Sequence, residues 1–175
     1  MNTRPTTDRV KESLFNIINH LIDGSVALDL FSGSGSLGIE ALSRGAKMVV
    51  FCDKDVLTVQ LIKKNLRHCN LEANSVVLAC DYKQTIKKLA LGESNTRNIN
   101  LVFLDPPYNA GLIQDSLKRM IEANILTKDA IIVAEHSRDE IILLPEEPLM
   151  TGLSVVRTEK YGDTCISFIK RTVET

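Results

Sequence analysis

The run LVFLDPPYNAG, residues 101–111, begins as a buried strand would and ends in an acid, two prolines and a tyrosine. Neither proline can donate a backbone hydrogen bond and both have a fixed φ, so Asp105, Pro106, Pro107 and Tyr108 stop the strand and lock the chain that follows. A carboxylate, a rigid carbonyl and an aromatic face at one strand end suit methylation of an exocyclic amine on a planar ring, whose lone pair is delocalised and weakly nucleophilic. Asp105 can accept a hydrogen bond from such an amine and a proline-fixed carbonyl can accept a second, which aims the nitrogen and stabilises the positive charge that grows on it. Tyr108 offers a π-face on which a flipped base can stack. The plain alternative is a strand stop with a packed tyrosine.

A second cluster precedes it. In DLFSGSGSLGIEALSRG, residues 29–45, Gly33, Gly35 and Gly38 fit G-x-G-x-x-G at the turn from a strand into a helix, the setting in which the pattern cradles a nucleotide. Asp53 follows 20 residues after Gly33, at the end of the next strand, where an acid takes ribose hydroxyls. Asp29 discriminates among nucleoside cofactors. Its carboxylate near the loop would repel the pyrophosphate of a dinucleotide and favour the sulfonium and ammonium of S-adenosyl-L-methionine. Capping of loop amides by Asp29 is compatible with that role. Asp81, ending the third strand, suits either an acceptor for the adenine amino group or a cap on the helix after it.

Apolar runs of strand length alternate with segments of helical period, the pattern of a parallel α/β sheet. Helices are predicted over residues 8–21, 36–44, 55–69, 82–91 and 111–123, and strands over 26–32, 47–53, 75–80, 99–105 and 130–136. Two further runs, SVVRTEK and TCISFIK, flank Tyr161, Gly162 and Asp163 and predict an antiparallel hairpin. The expected whole is a Rossmann-like seven-stranded mixed sheet with helices on both faces. In such a sheet ligands bind at the carboxyl ends of the strands where strand order reverses, which sets the tetrapeptide opposite the glycine loop.

At 175 residues with 44% hydrophobic content, the chain is read as one globular domain, 1–175. Charges in MNTRPTTDRV stand where a signal peptide needs an apolar stretch, so a cytoplasmic, membrane-free protein is expected. Cys52, Cys69, Cys80 and Cys165 lack metal-ligand spacing and read as reduced, buried thiols; no metal is expected. A net charge of -1 gives no global attraction to a polyanion, which would have to meet a local patch such as Arg4, Arg9 and Lys11. Lys63, Lys64 and Arg67 read as a solvated helix face, and Glu135, at a strand end near the expected rim, is given no catalytic role.

Together, RPTTDRVKESLFNII, LDLFSGSGSLGIEALSRGA, FCDKD and LDPPY resemble the RsmD family, bacterial enzymes that methylate the guanine N2 atom in 16S ribosomal RNA, and EKYGDTCISFI fits as well. The resemblance implies a class I methyltransferase fold and S-adenosyl-L-methionine as cofactor. It implies a cofactor pocket lined by Asp29, Phe31, Gly33, Gly35, Asp53, Lys54, Asp81, Tyr82 and Asp105. Asp105 to Tyr108 would hold the guanine amine, with Arg4, Thr6, Thr7 and Arg9 at the mouth and the RNA backbone. Ribosomal RNA or an assembling small subunit would be the partner of a monomer. The family's basic strand-rich stretch before RPTT is expected to be absent, since three residues precede Arg4. The remaining readings are an amino-methyltransferase acting on DNA adenine or cytosine or on a protein glutamine, a nicotinamide-dependent oxidoreductase, and a silent RNA-binding module. Asp29, the lack of a substrate domain and the tetrapeptide oppose the oxidoreductase, and the intact Asp105 to Tyr108 motif opposes the silent module.

Overall fold

In a computed structural model, the structure describes residues 8–92, 96, 98–142, 144 and 152–171. Helix α1 spans Asp8–Ile22 and buries Leu14, Phe15, Ile18 and Ile22, a stripe at helical spacing. Strand β1 (Val26–Asp29) leads to α2 (Ser36–Ser43), β2 (Met48–Asp53) and α3 (Val56–Cys69). A short 3-10 turn, Glu72–Asn74, precedes β3 (Ser75–Ala79), α4 (Tyr82–Leu91), β4 (Ile99–Leu104) and α5 (Leu112–Glu122). Then come β5 (Leu126–Ser137), β6 (Leu153–Tyr161) and β7 (Thr164–Arg171).

Among the described residues the strands form one seven-stranded sheet in the order β3-β2-β1-β4-β5-β7-β6. Strands β1 to β5 pair in parallel, and β7 runs antiparallel between β5 and β6. Strand order reverses between β1 and β4. The central strands β1, β2 and β4 are mostly apolar on both faces because both are covered. Alternate residues such as Leu28, Val50, Val102 and Ile132 pack with Ile86 and Leu89 of α4 and with Ile113, Leu117 and Met120 of α5. Ala27, Phe51, Phe103 and Val133 point the other way, onto Phe15 of α1, Ala41 of α2 and Ile62 of α3.

Three expectations needed adjustment. The predicted strand 26–32 ends at Asp29. Leu30 and Ser32 still donate backbone hydrogen bonds to Phe103 (3.1 Å) and Cys52 (3.0 Å), one to each neighbouring strand, so the apolar run continues while the chain turns. Strand β5 starts at Leu126 rather than 130: a register shift against β4 between Ile99 and Leu101 absorbs the polar residues Thr127, Lys128 and Asp129. Cys69, expected to be buried, is exposed in the last turn of α3, whereas Cys52 and Cys165 are buried. No helix among the described residues is long and apolar enough to cross a membrane.

Candidate active site

Asp29 ends β1 and is only 1% exposed. Its Oδ2 accepts the Gly38 N–H at 3.1 Å. Helix α2 begins at Gly35, which has no side chain to cap the first turn, so the carboxylate from the strand satisfies one of the turn's orphan amides. Burial pushes the Asp29 pKa up to about 7; the Gly38 bond opposes that rise and the Asp53 charge adds to it. Gly38 also lets the helix approach the sheet, because a Cβ there would lie 2.3 Å from Phe51 Cε1 and 2.9 Å from Val49 Cγ1.

The glycine loop is held on several sides. Gly33 has φ +52, a conformation that favours glycine, and its N–H donates to Asp53 Oδ2 at 3.2 Å. Asp53 Oδ1 accepts from Asp55 N–H at 2.9 Å. The buried Ser32 hydroxyl donates to the Asp29 carbonyl at 2.7 Å and accepts the Cys52 N–H at 2.9 Å, tying the start of the loop to β2. Asn65 Nδ2 donates to the Ser34 carbonyl at 2.9 Å, and Lys11 Nζ reaches Ser36 Oγ at 3.2 Å from α1.

Asp81 is the N-cap of α4 and accepts the Gln84 N–H through Oδ1 at 2.8 Å, so the capping role is realised. The rings of Phe31 and Tyr82 lie 5.5 Å apart, tilted by 38°. The Tyr82 hydroxyl donates to Asp115; burial and that bond push its phenol up to about 12. Lys54 is exposed beside Asp53.

Parallel register brings the acids together. Asp29 stands opposite Phe103, and Leu104 opposite Ala134, so one step further Asp105 and Glu135 leave adjacent strands on the same face. Burial raises the Asp105 pKa to about 7, with Glu135 and then Asp29 adding like-charge repulsion. Pro106 is buried and Pro107 exposed. The half-buried Tyr108 donates its hydroxyl hydrogen bond to Glu135 Oε1 at 2.9 Å and lies 3.2 Å from Thr164 Oγ1. Burial is the main reason its phenol rises to about 12. Glu140 Oε2 accepts the Asn109 N–H at 3.1 Å, holding the chain beyond the tetrapeptide.

Of the residues expected to meet a substrate at the mouth, Arg9 is exposed at the start of α1 and, with Asn16 and Arg157, lines a concavity of about 620 Å³ between α1 and β6. Arg4, Thr6 and Thr7 lie outside the described residues. Sequence reasoning set Glu135 at the rim without a catalytic role and did not single out Thr164. The signal for Glu135 was present: counted along β5 in register with β4, it falls beside Asp105.

Four acids, Asp29, Asp53, Asp81 and Asp105, thus stand at or just beyond the carboxyl ends of four parallel strands, near a glycine turn. Such a set favours a ligand bearing positive charge and hydroxyls and opposes a pyrophosphate. Among the described residues no group of His, Cys, Asp or Glu is arranged to hold a metal ion.

A family model described as "Conserved hypothetical protein 95" matches residues 1–170. The Bacillus subtilis protein YlbH, assigned as an rRNA methyltransferase, is 42% identical over 170 residues, 97% of this chain and 89% of its own length. Ribosomal RNA small subunit methyltransferase D of Haemophilus influenzae is 39% identical over 145 residues, 82% of this chain and 72% of its own. A solved structure from Escherichia coli, of a protein assigned as a methyltransferase, superposes with a TM-score of 0.82 at 29% identity, covering 98% of this chain and 89% of that one.

Proposed function

Because the chain belongs to the conserved hypothetical protein 95 family, that of RsmD, with the class I methyltransferase fold, we propose that it methylates a guanine N2 amine in small-subunit ribosomal RNA. The observation that carries this reading is the Asp105 to Tyr108 turn, set at the reversal of strand order across from Asp29 and the glycine loop. S-adenosyl-L-methionine, when bound, supplies an electrophilic methyl group on a sulfonium.

The residues of this chain fit that cofactor. Asp29, buried with a raised pKa, is stabilised as a carboxylate by a cation brought beside it. Asp53 sits where ribose hydroxyls are bound, its Oδ2 within reach of the loop amide of Gly33. Phe31 and Tyr82 form an aromatic wall next to the Asp81 cap, suited to an adenine. Asp105 accepts a hydrogen bond from the guanine amine and a proline-fixed carbonyl accepts the other, so the nitrogen lone pair is aimed across the gap between β4 and β1. Positive charge that grows on the nitrogen is stabilised by Asp105, whose own ionised form gains from it. Tyr108 gives the base a stacking face. Arg9 and Lys11, in the first turn of α1, supply the positive charge that a phosphate at the mouth would meet.

Calorimetric titration with S-adenosylhomocysteine and, separately, NADH tests the cofactor. Micromolar binding of the first alone supports the reading, and binding of NADH alone overturns it. Transfer of tritiated methyl to small subunits lacking the modification, followed by nucleoside analysis for N2-methylguanosine, tests the substrate.

A further inference from the structure

The ring of Tyr108 stands beyond two prolines on a turn where Asn109 has φ +57. Its hydroxyl is fixed from outside the turn, by Glu135 at 2.9 Å and Thr164 at 3.2 Å. Both partners are themselves rigid. Glu135 pairs with Ile166 and Ser137 with Thr164 in the β5–β7 ladder, so the two groups belong to one stretch of paired sheet. A carboxylate acceptor makes the phenol hydrogen bond charge-assisted, about twice as strong as a neutral one. Glu135 also stands beside Asp105, one step past the Leu104–Ala134 pair.

We propose that Glu135 is a positioning residue for methyl transfer: by clamping the Tyr108 hydroxyl it sets the plane of the stacking ring relative to the Asp105 carboxylate. This rests on the methyltransferase reading above. Glu135 acts through Tyr108 and holds neither the amine nor the cofactor. Thr164, the first residue of β7, is the secondary holdfast. A loose ring leaves the base bound in several orientations, few of which aim its nitrogen at the methyl group, and small misplacements of this kind can lower a rate by as much as a hundredfold.

The test is a double-mutant cycle on wild-type, Glu135→Ala, Tyr108→Phe and the double variant, with Glu135→Gln as the conservative control. Methyl transfer to unmethylated small subunits, S-adenosylhomocysteine affinity and melting temperature are measured for each. The expected result is a fall of about tenfold or more in kcat/KM for either single variant and no further fall in the double, since both remove one hydrogen bond. Glu135→Gln should retain most activity because its amide oxygen accepts the same bond, and cofactor affinity should stay within about twofold throughout. Additive losses, or a Glu135→Ala enzyme at the wild-type rate, would overturn the proposal. Hydrogen exchange gives a readout independent of turnover: backbone amides just after Pro107 should exchange faster in Glu135→Ala at unchanged cofactor affinity, and unchanged exchange would overturn the clamp. An inactive wild-type enzyme would sink the methyltransferase reading, while the exchange result would still decide the clamp.

Discussion

Asp29 carries opposite consequences for the empty and the occupied protein. Its carboxyl has an ordinary pKa of 3.8 and a folded value of about 7, so between those values the folded state binds more protons than the unfolded one. The stability it contributes is complete below about pH 4 and is lost as pH rises through 7. Asp105, raised to about 7 for related reasons, acts in the same sense. The ligand-free protein should therefore melt at a lower temperature at pH 8 than at pH 5. Asp29→Asn should flatten part of that slope, and S-adenosylhomocysteine, whose α-ammonium meets the ionised form, should raise the melting temperature more at pH 8 than at pH 5. Differential scanning fluorimetry across pH checks all three. The acids divide by role as well. Asp105→Ala should lower kcat by about a hundredfold or more and leave S-adenosylhomocysteine affinity nearly unchanged. Asp53→Ala should weaken that affinity by about tenfold, the loss of a hydrogen bond to a charged group, as calorimetry can measure. These carboxylates were legible in the sequence because each closes an apolar strand-length run. Glu135 lies near the end of another, two residues before β5 stops, but its part depends on which strand lies beside it and in what register, information that periodicity along one segment does not hold.

At the scale of the element, α2 is the sensitive piece. Gly38→Ala sets a methyl group 2.3 Å from the Phe51 ring, so the helix must lift from β2 or the ring must turn. Overpacking of this kind destabilises by about 1–3 kcal/mol, and lifting the helix also draws the Gly38 amide away from Asp29. The variant should lose both melting temperature and cofactor affinity, whereas Asp81→Ala, which removes the α4 cap, should destabilise by about 1 kcal/mol. Comparison of the two by urea unfolding and calorimetry tests the ranking. Most elements were readable from period and punctuation: α1 from its apolar stripe, α3 and α4 from Asp55 and Asp81 before them, the hairpin from Gly162 between two strand-like runs. Where expectation missed, tertiary contacts decided. Leu30 and Ser32 kept strand-like hydrogen bonds while leaving the strand, and β5 gained its first residues by pairing Leu126 with Ile99 across a register shift.

Across the whole molecule, α1 links parts that are far apart in sequence. Lys11 reaches the glycine loop, Ser13 shares a 2.6 Å hydrogen bond with Tyr161 at the end of β6, and Phe15 packs 5.8 Å from Phe103 in β4. Phe15, fully buried, should cost about 3–5 kcal/mol when cut to alanine, a loss that chemical denaturation can measure. The two-layer cover explains why fold class was plain from the alternation of segments alone, whereas the place of Glu135 beside Asp105 emerged only from register and strand order. That order has a consequence for synthesis on a translating ribosome. Strand β4 must enter beside β1 after two intervening strands have been made, and β7, the last strand among the described residues, takes the place beside β5 ahead of β6. Since Thr164 opens β7, a nascent chain already able to form the glycine turn still lacks a holdfast for Tyr108. Competence for its proposed reaction therefore arrives only once β7 has emerged, and ribosomes stalled before that point should carry chains that do not transfer methyl groups.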